Sequence, residues 1–491
     1  MKSNFLAKDD PSIQKLILIF GIIELCLGLS GVVLADFISI FNQLSLIAGS
    51  AGLIAMAFCI THPANIKVYD VLGMALVFAY GTGTLNSVIS FVRDNSDLVA
   101  SSMISEYWLT RSLGFATAAA GFLHVFGRLE NGGYLFRKFE LDVLQPNRSI
   151  WLIGLVTLLA LIFVATGRLG FMGNTSIESG SSQVSILSTL VIALITPTGA
   201  LSIYLARIET HVRRKFIFYL FSILLLVTQF GFGRRIFVFS LIIFMMAAIL
   251  AVRPKKFLTF NNLIVFVGAI FIIQIATTAF FTLRIARISF KSQVVPPSIL
   301  QLIPKAFNIY QDRERLFLAE QIKENIGTRT FVLEYFSLMS ERSSEMEPLY
   351  GDNLARAAIS ATPSLLYPSK FKNPLFGAEE SLANIHFRLP VWDAANSIFT
   401  ASVIDFGEIG LFVLPIIICI LFSLILRLIF FRAPPVTYML VGLSICQVLL
   451  SVENEITSYL SSMTAIIIIL IASWLIFRYK GFFQLTHKSE I

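Results

Sequence analysis

Charged side chains are scarce in this chain. Asp, Glu, Lys and Arg make up 14% of its 491 residues, where a soluble protein of this length carries roughly a quarter. That shortfall excludes an ordinary water-soluble domain. Cysteine is scarcer still: Cys26, Cys59, Cys419 and Cys446 all lie in apolar stretches, and the one long polar segment has none. Neither a disulfide framework nor a cysteine–histidine metal set is indicated, so no metal and no cofactor is expected. There is also no glycine-rich nucleotide-binding loop and no internal repeat. A net charge of +8 would point to nucleic acid in a soluble protein. Here the basic residues gather in short loops between apolar runs, which is a topology signal, and no nucleic-acid partner is expected.

What the chain has in excess is apolar length. Hydrophobic residues make up 56% of it, and they fall in runs long enough for a helix to cross a ~30 Å hydrocarbon core. The reading is an all-α polytopic membrane protein of about twelve spans, with one large, mainly helical extracytoplasmic loop. The spans are 16–34, 38–60, 68–92, 106–127, 149–167, 184–206, 216–232, 235–252, 262–283, 407–431, 436–452 and 460–477. The first run is too long, and lacks a convincing cleavage site, for a removed signal peptide. With the N-terminus inside, the loops assigned to the cytoplasm hold 20 of the 38 lysines and arginines. The opposite short loops hold only Arg93, Arg168, Arg234 and Arg235, with Arg111 just inside a span. This asymmetry places both termini in the cytoplasm. The chain divides into a bundle over 1–283, a loop over 284–406 and a second bundle over 407–491.

Arg234 and Arg235 fall on the outer side, where topology does not ask for positive charge. They turn the chain between two short apolar segments, so the turn should sit slightly below the membrane surface. An arginine at membrane depth costs about 2.5–3.5 kcal/mol on insertion scales. Two explanations fit: an anion or water-filled pit offsets that cost, or both side chains snorkel to lipid headgroups. The long loop begins FFTLRIARISFK, so Arg284 and Arg287 emerge at the same outer boundary. Three residues apart on a helical continuation, they share a face. Together the four arginines suit a phosphate or pyrophosphate, because guanidinium forks pair bidentately with its oxygens. Interfacial anchoring is the alternative for Arg284 and Arg287. The loop has helical stretches at Ile299–Phe307 and Phe331–Met339 and proline-punctuated turns around Pro363, Pro368, Pro374 and Pro390. It should fold over the membrane domain.

From Tyr350 the loop reads YGDNLARAAISATPSLLYPSKFKNPLFGAEE, then LPVWDAANSIFTASVIDFGEIGLFVLP. An isoleucine- and proline-containing stretch ends in Pro368-Ser369-Lys370. Asn396-Ser397 precedes Phe406-Gly407 and Gly410 by about ten residues. An outer Gly-Arg-Arg turn lies upstream. In these features, and in its many-span, single-loop layout, the chain resembles the Wzy-type O-antigen and exopolysaccharide repeat-unit polymerases. The resemblance implies a C-type glycosyltransferase at the periplasmic face of a bacterial inner membrane. Such an enzyme moves a growing glycan from undecaprenyl pyrophosphate to the non-reducing end of a new lipid-linked repeat unit, without a nucleotide sugar. It implies lipid-linked glycans and membrane lipids as partners, with a chain-length regulator and a flippase of the same pathway. Related O-antigen ligases carry a His-Asn pair at the position of Asn396, and here Ala395 replaces the histidine. The other functions considered are an O-antigen ligase or another lipid-phosphate glycosyltransferase, and a flippase. A flippase would place charge in the span centres, which hold little besides Glu24.

The implied reaction needs stabilised leaving-group charge and a positioned base. Arg234, Arg235, Arg284 and Arg287 suit the pyrophosphate. Lys370 either joins them or covers the loop. The base candidates are Asp393 and His386. Asn396, Glu379, Glu380, Glu453 and Glu455 either contact the glycan or orient the arginines. Asp405 and Glu408 flank the start of the tenth span.

Overall fold

The computed structural model describes residues 11–60, 65–94, 104–130, 132–136, 146–165, 186–230, 234–251, 299–311, 331–362, 366–370, 379–388, 396–430, 435–452 and 454–478, with Asn373 and single residues between 264 and 286. Described residues are overwhelmingly helical, with no strand among them and one isolated antiparallel bridge between Lys67 and Tyr134. The helices in the first half are α1 (Pro11–Val33), α2 (Ile40–Ile60), α3 (Val68–Asp94), α4 (Glu106–Leu129), α5 (Pro146–Ala165), α6 (Ile186–Ile208), α7 (Val212–Phe230) and α8 (Arg234–Ala251). Then follow α9 (Ile299–Gln311), α10 (Phe331–Ser343), α11 (Asp352–Ala361), α12 (Glu379–His386), α13 (Ile398–Phe430), α14 (Pro435–Leu450) and α15 (Ile456–Arg478). Two of them, over Ser12–Val33 and Ile398–Ile429, are long and apolar enough to cross a membrane. Shorter apolar helices fall on most of the other expected spans, among them Asn42–Phe58, Ser149–Val164 and Thr437–Leu450.

The chain forms two compact units that do not follow sequence order. One comprises 1–138, 326–432 and 448–464, the other 139–325, 433–447 and 465–491. In the first, α1 and α4 lie along each other. Their seam is glycine at seven-residue intervals on both helices, Gly21 and Gly28 against Gly114 and Gly121. A Cβ on Gly28 would stand 2.2 Å from the Ala118 amide nitrogen, and one on Gly121 2.4 Å from that of Leu25. Small residues allow this approach, and close packing is what joins helices where lipid removes the hydrophobic drive.

The expected helices of the long loop form, at α9 and α10. Helix α10 packs against α3, α4 and α13 through a buried face including Leu333, Phe336 and Met339. In the second unit, α6 packs on α5, α7 and α8.

The tenth expected span, 407–431, opens where the sequence places it: the helical stretch Ile398–Phe430 is two helices that meet at a kink at Gly407, a short one from Ile398 and the apolar one beyond. Gly407 has φ 64° and ψ −155°, which is not helical backbone. Only glycine adopts that backbone readily. Nothing lies within 4 Å of a Cβ built there, so Gly407→Ala isolates the backbone term. It should destabilise the protein by about 1–3 kcal/mol, read as a lower thermal midpoint in detergent.

Candidate functional site

Asn396 and Ser397 immediately precede α13. Ser397 and Thr400 cap the helix reciprocally: the Ser397 amide donates to Thr400 Oγ1 at 2.8 Å, and the Thr400 amide to Ser397 Oγ at 3.2 Å. This is a Ser-x-x-Thr variant of the capping box. Ser397 Oγ also meets the Tyr80 hydroxyl at 2.8 Å, and the Tyr80 ring sits against Phe336 and Phe399. Asn396 is thereby held on a rigid frame. Its Nδ2 donates to Glu455 Oε1 at 3.1 Å, across 59 residues of sequence. Its Oδ1 is buried with no hydrogen-bond partner, an acceptor left open on the same amide. These two of the sequence-selected residues are brought together.

Two other acidic residues of the region, Asp405 and Glu408, have structural partners. Asp405 is fully buried and accepts the amides of Asn353 and Leu354 at 2.9 and 2.8 Å, which seals the N-terminus of α11. Asp405→Ala strands those two donors, a loss of about 1–3 kcal/mol for each buried group left unmade. Limited proteolysis around 350–362 should accelerate in that variant. Glu408 pairs bidentately with Arg111, at 2.7 and 2.8 Å from Nη2, with a further bond from Nε at 3.0 Å. The Arg111 guanidinium also lies 5.2 Å from the Phe115 ring centroid. The positive charge that topology left unexplained at Arg111 is thus answered by Glu408.

Lys370 is nearly buried, and its ammonium donates to the carbonyls of Ser360 and Thr362 at 2.9 and 2.8 Å. A cation at the carbonyl end of α11 complements its dipole. Burial pushes this lysine's pKa below its ordinary value. Of the two uses read from the sequence, this geometry is that of loop cover, so the pyrophosphate assignment rests on the arginines. His386 ends α12, with Nε2 2.9 Å from the Glu347 carbonyl, to which it donates, and its ring against Phe387.

Arg234 and Arg235 open α8, and Glu379 and Glu380 open α12; their side chains lie outside the described residues. So do Asp393, Arg284, Arg287 and Glu453. In the second compact unit, a cavity of about 450 Å³ lies between α9 and the helical residues before Arg284. Ile275, Ala279, Thr282, Leu283, Ile303 and Phe307 contribute to its lining, which is mostly apolar. Leu283 is the residue directly before Arg284.

Sequence reasoning missed the pairing of Arg111 with Glu408 and the buried His124 beside Glu24. The only signal was charge inside a span. No groups of three or more histidine, cysteine or acidic side chains placed to hold a metal ion occur among the described residues. No family model, curated protein or solved structure matches this chain.

Proposed function

We propose that this chain is a membrane glycosyltransferase that polymerises undecaprenyl-pyrophosphate-linked oligosaccharide repeat units. It spans a bacterial inner membrane about twelve times, with both termini cytoplasmic and its site on the periplasmic face. One observation carries the reading: α8 begins at Arg234. Two adjacent arginines therefore occupy the first turn of a helix, whose N-terminus is already electropositive and whose leading amides are unsatisfied. Cations are disfavoured there unless an anion joins them, and such termini bind phosphate. Eighteen residues give α8 a length of about 27 Å, short of the ~30 Å core, which suits a recessed turn. The mostly apolar cavity suits an isoprenoid tail, and its lining includes Leu283, which precedes Arg284 in the sequence.

In this mechanism the hydroxyl at the non-reducing end of the acceptor unit attacks the anomeric carbon of the growing glycan. The carbon–oxygen bond to undecaprenyl pyrophosphate breaks, and the pyrophosphate leaves with the bonding pair. Arg234, Arg235, Arg284 and Arg287 stabilise that charge. Asp393 or His386 takes the hydroxyl proton; with its Nε2 donating to a carbonyl, His386 would act through Nδ1. The Asn396–Glu455 pair presents an acceptor and a carboxylate suited to sugar hydroxyls, with Glu379, Glu380 and Glu453 as further polar contacts.

Deleting the gene tests the reading. Cells without the chain should carry lipid-linked glycan of a single repeat unit, and restoring it should restore the long-chain ladder. An unchanged ladder, or repeat units stranded on the cytoplasmic leaflet, would reject it.

A further inference from the structure

A second polar cluster lies within the first compact unit, among α1, α3 and α4. Glu24 and His124 are both fully buried, with Glu24 Oε2 3.7 Å from His124 Nε2. His124 Nδ1 lies 3.4 Å from Asp70 Oδ1. Asp70 Oδ2 pairs with Arg128 and also accepts the Lys67 amide at 2.9 Å. Arg128 in turn donates to Gln14. The file therefore runs from Arg128 and Gln14, near one end of the helices, inward to Glu24 near the middle of α1. It is tightly fitted. A Cβ at Gly73 would stand 2.8 Å from His124 Nε2, and one at Gly21 2.9 Å from His124 Cβ. Phe58 of α2 closes another side.

The other charged groups nearby are committed elsewhere. The Lys67 ammonium donates to the Gly127 and Glu130 carbonyls, and Arg427 of α13 pairs with the Glu130 carboxylate. Asp70 is answered by Arg128. Among the described residues, no cation remains for Glu24, and a buried unpaired carboxylate is not tolerated. Three buried polar atoms face one another without a hydrogen bond: both carboxyl oxygens of Glu24, and His124 Nε2. A single proton resolves the charge and joins two of the three. With Nδ1–H directed at Asp70, Nε2 presents a lone pair to Glu24, and a small side-chain rotation brings a Glu24 O–H within donating distance of it.

We propose that Glu24, His124, Asp70 and Arg128 form a reversible proton-binding site inside the bundle, with the bound proton on Glu24 and donated to His124. Intramembrane ionisable residues are functional by default, and this site is independent of the loop and the arginines. Its ligand is a proton exchanged through His124, while Arg128, which stays protonated, balances the charge of Asp70.

Infrared spectroscopy of the full-length protein in nanodiscs at neutral pH tests it. A protonated-carboxyl carbonyl band should be present, shift with ¹³C-glutamate but not ¹³C-aspartate, and shift again after exchange into D₂O. Glu24→Gln should abolish it, and His124→Leu should move it to the higher frequency of a carboxylic acid without an acceptor. The isotope-labelled wild type decides the matter even where a variant does not fold. Absence of the band, a band that follows aspartate, one that survives Glu24→Gln, or one sealed from D₂O would each overturn the proposal.

Discussion

Alanine at any one of Arg234, Arg235, Arg284 or Arg287 is expected to lower glycan polymerisation by about 10²–10³-fold, the equivalent of about 2.7–4 kcal/mol for one preorganised electrostatic donor. Protein abundance should barely change. The contrast matters because the competing use of these arginines, anchoring at headgroups, predicts the opposite pattern. An anchor contributes to insertion and little to turnover, and a single anchor among many is dispensable. Lysine at the same positions separates the two further. It preserves charge and anchoring but loses the bidentate fork, so each lysine variant should remain well inserted and poorly active. The assay is the length distribution of lipid-linked glycan at matched protein level. Four alanine variants that all build long glycan would remove the arginines from the mechanism.

The second large effect is structural. Gly28→Ala and Gly121→Ala should each destabilise the protein by at least about 3 kcal/mol, the upper end of what overpacking brings. The obstacle is backbone: the added carbon at Gly28 meets Ala118, and that at Gly121 meets Leu25, at separations real Cβ atoms do not show. No rotamer change relieves such a clash, so α1 and α4 must part. Separation would also open the Glu24–His124 pocket, which sits on the same seam. Gly49→Ala and Gly52→Ala on α2 provide the control, since nothing lies within 4 Å of a Cβ at either position. Those two should be neutral or slightly stabilising through helix propensity. Thermal unfolding of all four in one detergent gives the comparison. Equal midpoints would mean that the α1–α4 seam is not as close as described.

The helices were legible because apolar runs and loop punctuation are local properties. Ile299–Phe307 and Phe331–Met339 were both marked by their three-to-four spacing, and both are helical. The short helix from Ile398 to the Gly407 kink was not legible, because Asn396-Ser397-Ile398 reads as loop until the Ser397–Thr400 cap is seen. Side-chain partners were the least legible feature. Arg111 and Glu408 are 297 residues apart, and Glu24 and His124 lie on separate helices. A lone charge in an apolar run announces that a partner exists without naming it. Lys370 shows the reverse limit. Its place in a Pro-Ser-Lys stretch suggested anion binding, but the carbonyl end of α11 lies within its reach. Asn396 and Glu455 were each selected from sequence, and their hydrogen bond joins them at one site.

Reconstitution of the purified chain in vesicles, with an undecaprenyl-pyrophosphate-linked repeat oligosaccharide as sole substrate, tests the proposed activity most directly. Gel or mass-spectrometric analysis should reveal products lengthened by whole repeat units, with free undecaprenyl pyrophosphate released in step and no nucleotide sugar supplied. Substrate that crosses the bilayer but never lengthens would identify a transporter and contradict the glycosyl-transfer account.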